Sequence, residues 1–511
     1  MNSKVKAVLF LLIIGLFSCH SALKTTTNSS NKLSNQVIAH RGAWKKNNLP
    51  ENSIASFKEA IRLGCAGSEF DVRMTSDDSL IINHDPHYNK LQIEKTTYAE
   101  LTRFNLSNGE KLPTLREYIL AGNANNPGTK LICEIKPSDV SKERGKAIAV
   151  NTVRLFKELK ADGNVIYISF DYDILKQILA VNPKANTQYL NGDKSPDQLK
   201  ADNIKGADYH FSVFKNKPEW IRSAKELNID LNAWTVNEAA DMDWLLANEF
   251  DCITTNEPEL LFDKVKQSPV ANGWKLAWSD EFNYSGLPDD TKWKFETGGH
   301  GWGNHELQYY TDKDSSNAFV KDGQLRITAL KKQFDKNSYT SAKLITKGKK
   351  LFQYGRIEVR AKLPAGRGTW PAIWMLGDNI DKVDWPDCGE IDIMEHVGFK
   401  KDTVFGSIHT KVFNHVIGTQ TTKGMLIADP YTSFHTYGIE WTKEKISFFI
   451  DDKQYLEFNN QHKTTAEWPF DALFYLILNL AVGGDWGGQQ GIDDTIFPAS
   501  MYVDYVRVFE K

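Results

Sequence analysis

The stretch Asp384–His396, D-W-P-D-C-G-E-I-D-I-M-E-H, decides how the chain is read. Three acids, Glu390, Asp392 and Glu395, stand inside an apolar run. Residues i and i+2 of a strand point to one face, so Glu390 and Asp392 share theirs. Glu395 lies an odd step from Glu390, and a regular strand turns it to the opposite face. One extra residue, a β-bulge near Met394, brings it back beside the other two. Carboxylates crowded on one strand face repel each other and add nothing to stability. The neighbours Trp385, Pro386, Ile391, Ile393 and Met394 do not read as a solvated face. The pattern points to chemistry.

A carboxylate pair on one strand suits retaining glycoside hydrolysis, in which one acid attacks the sugar while the other protonates the leaving oxygen and later activates water. The two then stand roughly 5 Å apart. The acid partner must hold its proton near neutral pH, and a neighbouring negative charge favours that. G-E-I-D-I-M-E resembles the signature of glycoside hydrolase family 16, and its Met-containing form resembles the laminarinase branch; the lichenase branch lacks the bulge residue. The resemblance covers residues 274–511. It implies a β-jelly roll with a cleft across its concave sheet, with Glu390 as nucleophile, Glu395 as acid/base, and Asp392 orienting and tuning both. It also implies that Trp374, Trp385 and His409 line the cleft, that Asn304 and Glu306 lie on its floor, and that a structural Ca²⁺ sits at Gly323 and Asp504.

Outward from that stretch the texture is all-β. Alternating segments such as Gln324–Leu330, Gly355–Leu363, Thr436–Trp441, Ile446–Ile450 and Met501–Phe509 are separated by Gly-rich turns, which predicts a sandwich. Ten of the fourteen tryptophans fall here. Trp278, Trp293 and Trp441 read as core. Trp302, Trp370, Trp385 and Trp486 sit in polar or Gly-rich loops, where flat rings offer a face to a sugar.

The whole chain has 511 residues, which suits two or three domains. A net charge of −3 gives no nucleic-acid footprint. Lys4 and Lys6 precede an apolar run, Ala7–Phe17, too short to span a bilayer and suited to a signal peptide at 1–19. The run ends in L-F-S-C, residues 16–19, which resembles a bacterial lipobox with Cys19 lipidated. Residues 20–35 read as a flexible tether. These features predict an exported lipoprotein, monomeric and anchored to a membrane of the bacterial envelope. Cys65, Cys133, Cys252 and Cys388 show neither metal spacing nor a disulfide framework, and the first three read as buried small hydrophobes.

Residues 36–263 alternate short apolar runs with helical stretches such as Ser53–Gly64, Ser141–Leu159 and Glu238–Asn248. That order predicts an α/β fold, a TIM-like (β/α) barrel. Nine candidate strands are counted, one too many: Val37–Arg41, Gly67–Met74, Leu80–Asp85, Leu131–Lys136, Val165–Phe170, Asn186–Leu190, Tyr209–Ser212, Leu231–Val236 and Cys252–Thr255. Chemistry in such barrels sits at the C-terminal ends of strands. His40 and Arg41 close the first candidate, Glu69 and Asp71 share a face of the second, His84 and Asp85 close the third, and Glu134 and Lys136 share a face of the fourth. Three converging carboxylates call for a cation, and all-oxygen ligation suits Mg²⁺ or Ca²⁺. Two histidines suit proton transfer, and an arginine and a lysine suit a phosphate.

Together H-R-G (40–42), P-E-N-S (50–53), E-F-D (69–71), H-D (84–85), E-I-K (134–136), K-L-P-T-L-R-E (111–117) and W-T-V-N (234–237) resemble the glycerophosphodiester phosphodiesterase family. The resemblance implies a divalent cation on Glu69, Asp71 and Glu134, and His40 and His84 as the acid/base pair. It places Arg41 and Lys136 on the phosphate, with Glu51 and Asn52 in support. One departure stands out: where that family reads D-G-I-x-T-D-x-P, this chain has D-C-I-T-T-N-E-P at 251–258, with Cys252 and Asn256 in place of Gly and Asp. Residues 264–273 read as a short polar linker.

The expectation is a bifunctional hydrolase that cuts a glycerophosphodiester and an internal β-1,3-glucosidic bond, on a substrate such as a phosphoglycerol-bearing glucan. Two alternatives stay open: a barrel that binds without catalysis, and a second domain that acts on a galactan such as agarose or carrageenan.

Overall fold

The computed structural model describes residues 35–511; the expected signal segment with Cys19, and the tether as far as residue 34, lie outside the described residues. Among the described residues no helix is long and apolar enough to cross a membrane.

The first domain closes into a barrel of eight parallel strands: β1 (Val37–Ala39), β2 (Gly67–Met74), β3 (Lys130–Ile135), β4 (Val165–Ser169), β5 (Asn186–Tyr189), β6 (Gly206–His210), β7 (Asp230–Trp234) and β8 (Cys252–Thr255). β1 pairs with both β8 and β2, which closes the ring. The surplus candidate is Leu80–Ile82, a short strand antiparallel to the end of β2. His84 and Asp85 therefore close no barrel strand and stand in the loop after this hairpin. The expected helices form at Ile54–Leu63, Lys142–Glu158 and Ala239–Ala247. The first is bounded by Ser53, whose hydroxyl accepts from the Ser56 amide, and by Gly64 in the left-handed region.

Strand alternation sorts the barrel residues. Phe70, Val72, Leu131, Cys133, Tyr167, Ala207, Tyr209, Leu231 and Ala233 belong to the core between strands and helices. Ile38, Ile132, Ile166, Ile168 and Leu190 form a smaller apolar cluster inside the ring. Cys65 and Cys133 are buried as expected, whereas Cys252 is only partly so; these three and Cys388 are free thiols.

The expected polar linker is structured. A helix runs Pro258–Gln267 and a 3₁₀ turn Pro269–Asn272, leaving Gly273 in the left-handed region before the second domain.

That domain is a sandwich of two antiparallel sheets. The outer sheet contains Ala318–Lys321, Gln324–Ala329, Gly355–Lys362, His435–Trp441, Lys445–Ile450, Lys453–Asn459 and the long Ala499–Glu510, which also pairs with Lys275–Asp280. The inner sheet orders Lys294–Phe295, Lys343–Ile345, Phe474–Val482, Thr369–Gly377, Glu390–Glu395, Thr403–His409 and Thr421–Leu426. Trp293 and Trp441 are buried between the sheets, and Trp278 packs partly buried against the same core.

The barrel docks on the outer sheet. Ala247 packs with Trp274 and Phe509. A cavity of about 400 Å³ lies between helix Ala239–Ala247 and the outer face of the sheet, lined by Glu358, Arg360 and Arg507 among others. Arg507, fully buried, donates two hydrogen bonds to Glu281 at 3.0 Å each. The inner sheet's free face therefore opens away from the barrel.

Candidate active sites

In strand Glu390–Glu395 the pairing skips one residue: Ile373 faces Met394, while Trp374 faces Asp392. The other neighbour repeats the irregularity between Asp392 and Glu395. Ile393 and Met394 both turn into the core at 1 % and 0 % exposure. Two consecutive inward side chains make the bulge, and the bulge returns Glu395 to the free face of the sheet with Glu390 and Asp392.

Each glutamate holds an indole. Trp385 Nε1 donates to Glu390 Oε2 at 3.1 Å, and Trp370 Nε1 donates to Glu395 Oε1 at 3.1 Å. His409 Nε2 lies 3.3 Å from Asp392 and 3.8 Å from Glu390. Burial, and then the charge of Asp392, push Glu390 and Glu395 each up to about 8. Burial alone pushes Asp392 up to about 8. Acids this close cannot all ionise; each glutamate accepts from one indole, and His409 favours the ionised form of both.

The cleft above these acids encloses about 680 Å³, with Asn304, Trp370, His409 and Trp486 on its walls. Trp374 faces Asp392 across the strand pair, on the same face as the acids; its Nε1 donates to Asn479 at 2.7 Å, and Lys343 stands 5.1 Å over its ring. Glu306 accepts from Gln308 at 2.6 Å and from Tyr310 at 3.3 Å. Trp302, expected as a loop platform, packs instead on Tyr310 and under Lys343. Sequence reading missed His415, which lies 5.0 Å from Trp385 and 5.2 Å from His409. Beside it Val416, on the cleft wall, is 71 % exposed, and the next residue, Ile417, is 59 % exposed. Two bulky aliphatic residues in a turn closed by Gly418 were the available signal. Asp504, expected at a calcium site with Gly323, accepts from Arg360 Nη1 at 2.5 Å.

In the barrel, Glu69, Asp71 and Glu134 bring carboxylate oxygens within 4.8 Å of one another. Lys136 Nζ lies 2.9 Å from Asp71 and 2.7 Å from Glu134. Glu69 Oε2 accepts from the Arg41 amide at 2.9 Å, while its Oε1 is buried without a partner. Burial and the neighbouring acids push Glu69 well up, and burial, then Asp71, lift Glu134 to about 7. Against the pull of burial, Lys136 leads the influences holding Asp71 down to about 2. Three carboxylates less one ammonium leave two net negative charges when all are ionised, so these oxygen donors fit a hard divalent cation.

Asn52 supports Asp71 in both directions, donating to Oδ2 at 2.8 Å and accepting from the Asp71 amide at 3.2 Å. Arg41 donates to Glu51 at 2.6 Å. Gly42 is required where it stands, since at φ +85° a Cβ would fall 2.4 Å from Ser56 Oγ. His40 Nδ1 meets Asn256 Oδ1 at 2.8 Å, which leaves Nε2 facing Glu69 at 3.9 Å. The departure Asn256 is thus the group that orients His40. Burial, then Arg41, lower His40 to about 4, so its imidazole is neutral. A small pocket of about 130 Å³ joins His40, Arg41, Glu69, His84, Glu134 and Lys136 to an apolar wall at Phe170, Leu190 and Trp234.

The molecule therefore carries two separate hydrolytic centres, one at the mouth of a barrel and one in the cleft of a sandwich. The chain belongs to glycosyl hydrolases family 16 through its C-terminal half and carries a glycerophosphoryl diester phosphodiesterase family domain in its N-terminal half; the two family models match residues 300–507 and 40–260. A third model, for beta-glucan synthesis-associated protein SKN1/KRE6/Sbg1, matches 210–385, across the junction. A beta-glucanase from Rhodothermus marinus is 54% identical over 250 residues, 48% of this chain and 87% of that protein. A glucan endo-1,3-beta-glucosidase A1 from Niallia circulans is 39% identical over 269 residues, 48% of this chain but only 39% of that protein. The X-ray structure of the laminarinase from Rhodothermus marinus, at 53% identity, covers 46% of this chain and 97% of its own, with a TM-score of 0.46.

Proposed function

We propose that the sandwich is a retaining endo-β-1,3-glucanase and the barrel a metal-dependent glycerophosphodiesterase. One observation carries the first part: two indole-bound glutamates flank an aspartate on the free face of one bulged strand. The printed names of the relatives, β-glucanase and endo-1,3-β-glucosidase, support the substrate. Glu390 attacks the anomeric carbon as Glu395 gives its proton to the leaving oxygen. Glu395 then takes a proton from water, which releases the sugar from Glu390. Trp370 and Trp486 offer apolar faces to pyranose rings. Reducing-sugar release from laminarin, with mid-sized oligosaccharides before glucose, tests this; a folded protein inert on laminarin but active on a galactan overturns it.

Asp392 sets the alkaline limit. Removing its charge makes ionisation of Glu395 easier, so the Glu395 pKa falls. Asp392→Asn is expected to move the upper limb of the kcat/KM–pH profile to lower pH, besides slowing the reaction; an unmoved limb contradicts the role.

In the barrel, a divalent cation on Glu69, Asp71 and Glu134 would neutralise the phosphodiester oxygens. Arg41 and Lys136 bind the same oxygens, and His40, held neutral by burial and oriented by Asn256, is poised to accept a proton at Nε2. His84 lines the same pocket and serves as its acid partner. A phosphoglycerol-bearing glucan suits the pair of activities, although the cleft opens away from the barrel. In this reading the chain is exported and lipid-anchored.

A further inference from the structure

One buried acid of the barrel has no part in either reaction. Asp208 lies in β6, where its neighbours Ala207 and Tyr209 face the helices, so Asp208 faces the ring interior beside Asn232 of β7. It is 1 % exposed, and its Oδ1 is buried without a partner. It lines the same 130 Å³ pocket as His40, Glu134 and Lys136. Thr254, also on the pocket wall, exchanges a hydrogen bond with Asn232 at 3.2 Å. Barrel interiors are ordinarily filled by Val, Ile and Leu, and buried polar groups are ordinarily paired. Asn232 reaches this carboxyl, but the oxygen left without a partner in the pocket wall, among other polar groups, is poised for a ligand.

We infer that Asp208 and Thr254 form a subsite that hydrogen-bonds the hydroxyls of the small alcohol esterified to the phosphate, and that Asp208 selects a polyol over an apolar or cationic alcohol. The pocket is smaller than the ~300–1,000 Å³ typical of drug-sized ligand sites, which argues for a short alcohol. A quaternary ammonium prefers open aromatic faces. Here Trp234 and Phe170 meet each other edge to face at 5.3 Å and 78°, and Arg41 and Lys136 line the same space. Burial pushes Asp208 up to about 8, which leaves it both a donor and an acceptor for hydroxyls.

This rests on the barrel being a phosphodiester site, so the test separates binding from turnover. Calorimetry on the full chain with saturating Mg²⁺ compares glycerol 3-phosphate, ethyl phosphate and phosphocholine. Glycerol 3-phosphate is expected to bind at least about tenfold tighter than the other two, because a site built for a hydroxyl rejects the analogue that lacks it. Asp208→Leu should bring glycerol 3-phosphate to the level of ethyl phosphate and leave ethyl phosphate within about twofold. Thr254→Val, a nearly isosteric change, should reduce the preference severalfold and guards against misfolding of the first variant. Equal wild-type affinities, tighter phosphocholine, no binding of any of the three, or a parallel loss for glycerol 3-phosphate and ethyl phosphate in the variants overturns the subsite. Preference without hydrolysis of glycerophosphodiesters leaves the subsite standing and removes the catalytic reading; hydrolysis without preference does the reverse.

Discussion

Glu390→Gln is expected to lower glucan hydrolysis by at least ~10⁴-fold, on the scale seen when a covalent nucleophile is removed. The amide keeps the shape and can still sit against the Trp385 indole, so substrate binding should survive and the loss should fall on kcat. Stability separates this from misfolding. The folded-state pKa of Glu390 is raised to about 8 by burial and Asp392. A raised carboxylic pKa adds stability that is present below the unfolded pKa and lost as pH rises through about 8. At pH 7–8 the wild-type carboxyl is therefore under strain that the amide does not share. The variant should melt at or above the wild-type temperature, as active-site replacements often do. A variant that loses activity together with several degrees of melting temperature would indicate a structural role instead.

In the other domain, Glu69→Gln and chelation are both expected to suppress glycerophosphodiester hydrolysis by ~10³-fold, the equivalent of the several kcal/mol that a bound cation supplies. Glu69 Oε1 has no protein partner, whereas Asp71 and Glu134 already share Lys136. The unpartnered oxygen is the one whose loss a cation feels most directly. Excess Mg²⁺ or Ca²⁺ should restore the chelated wild type but not Glu69→Gln. Glucan hydrolysis by the same chain provides the internal control and should be untouched. Full phosphodiester turnover in a chelator would remove the metal from the account.

The bulged strand was legible because local alternation alone forces the extra residue: once Glu395 must join Glu390 and Asp392, Ile393 and Met394 have to turn inward together. The barrel was legible through its rhythm, but the rhythm could not tell Leu80–Ile82 from a barrel strand. Its length and apolar run are the same, and only pairing distinguishes an antiparallel appendage from a ring member. Asn256 was visible as a departure, yet its role as the hydrogen-bond partner of His40 spans 216 positions of sequence, and no local pattern encodes it. The tryptophans divided for a similar reason. Trp370 and Trp385 donate to the acids, while Trp302 and Trp374 are claimed by Tyr310, Lys343 and Asn479, all distant in the chain. Asp208, one acid in the short strand G-A-D-Y-H, looks unremarkable until the ring closes around it.

If Glu390 is the nucleophile and Glu395 the acid/base, two displacements at the anomeric carbon restore its configuration. Proton NMR of laminarin oligosaccharide cleavage, recorded in the first minutes before mutarotation, should then show the β-anomer as the first reducing product; an initial α-anomer would mean a single displacement by water and would rule out Glu390 as nucleophile.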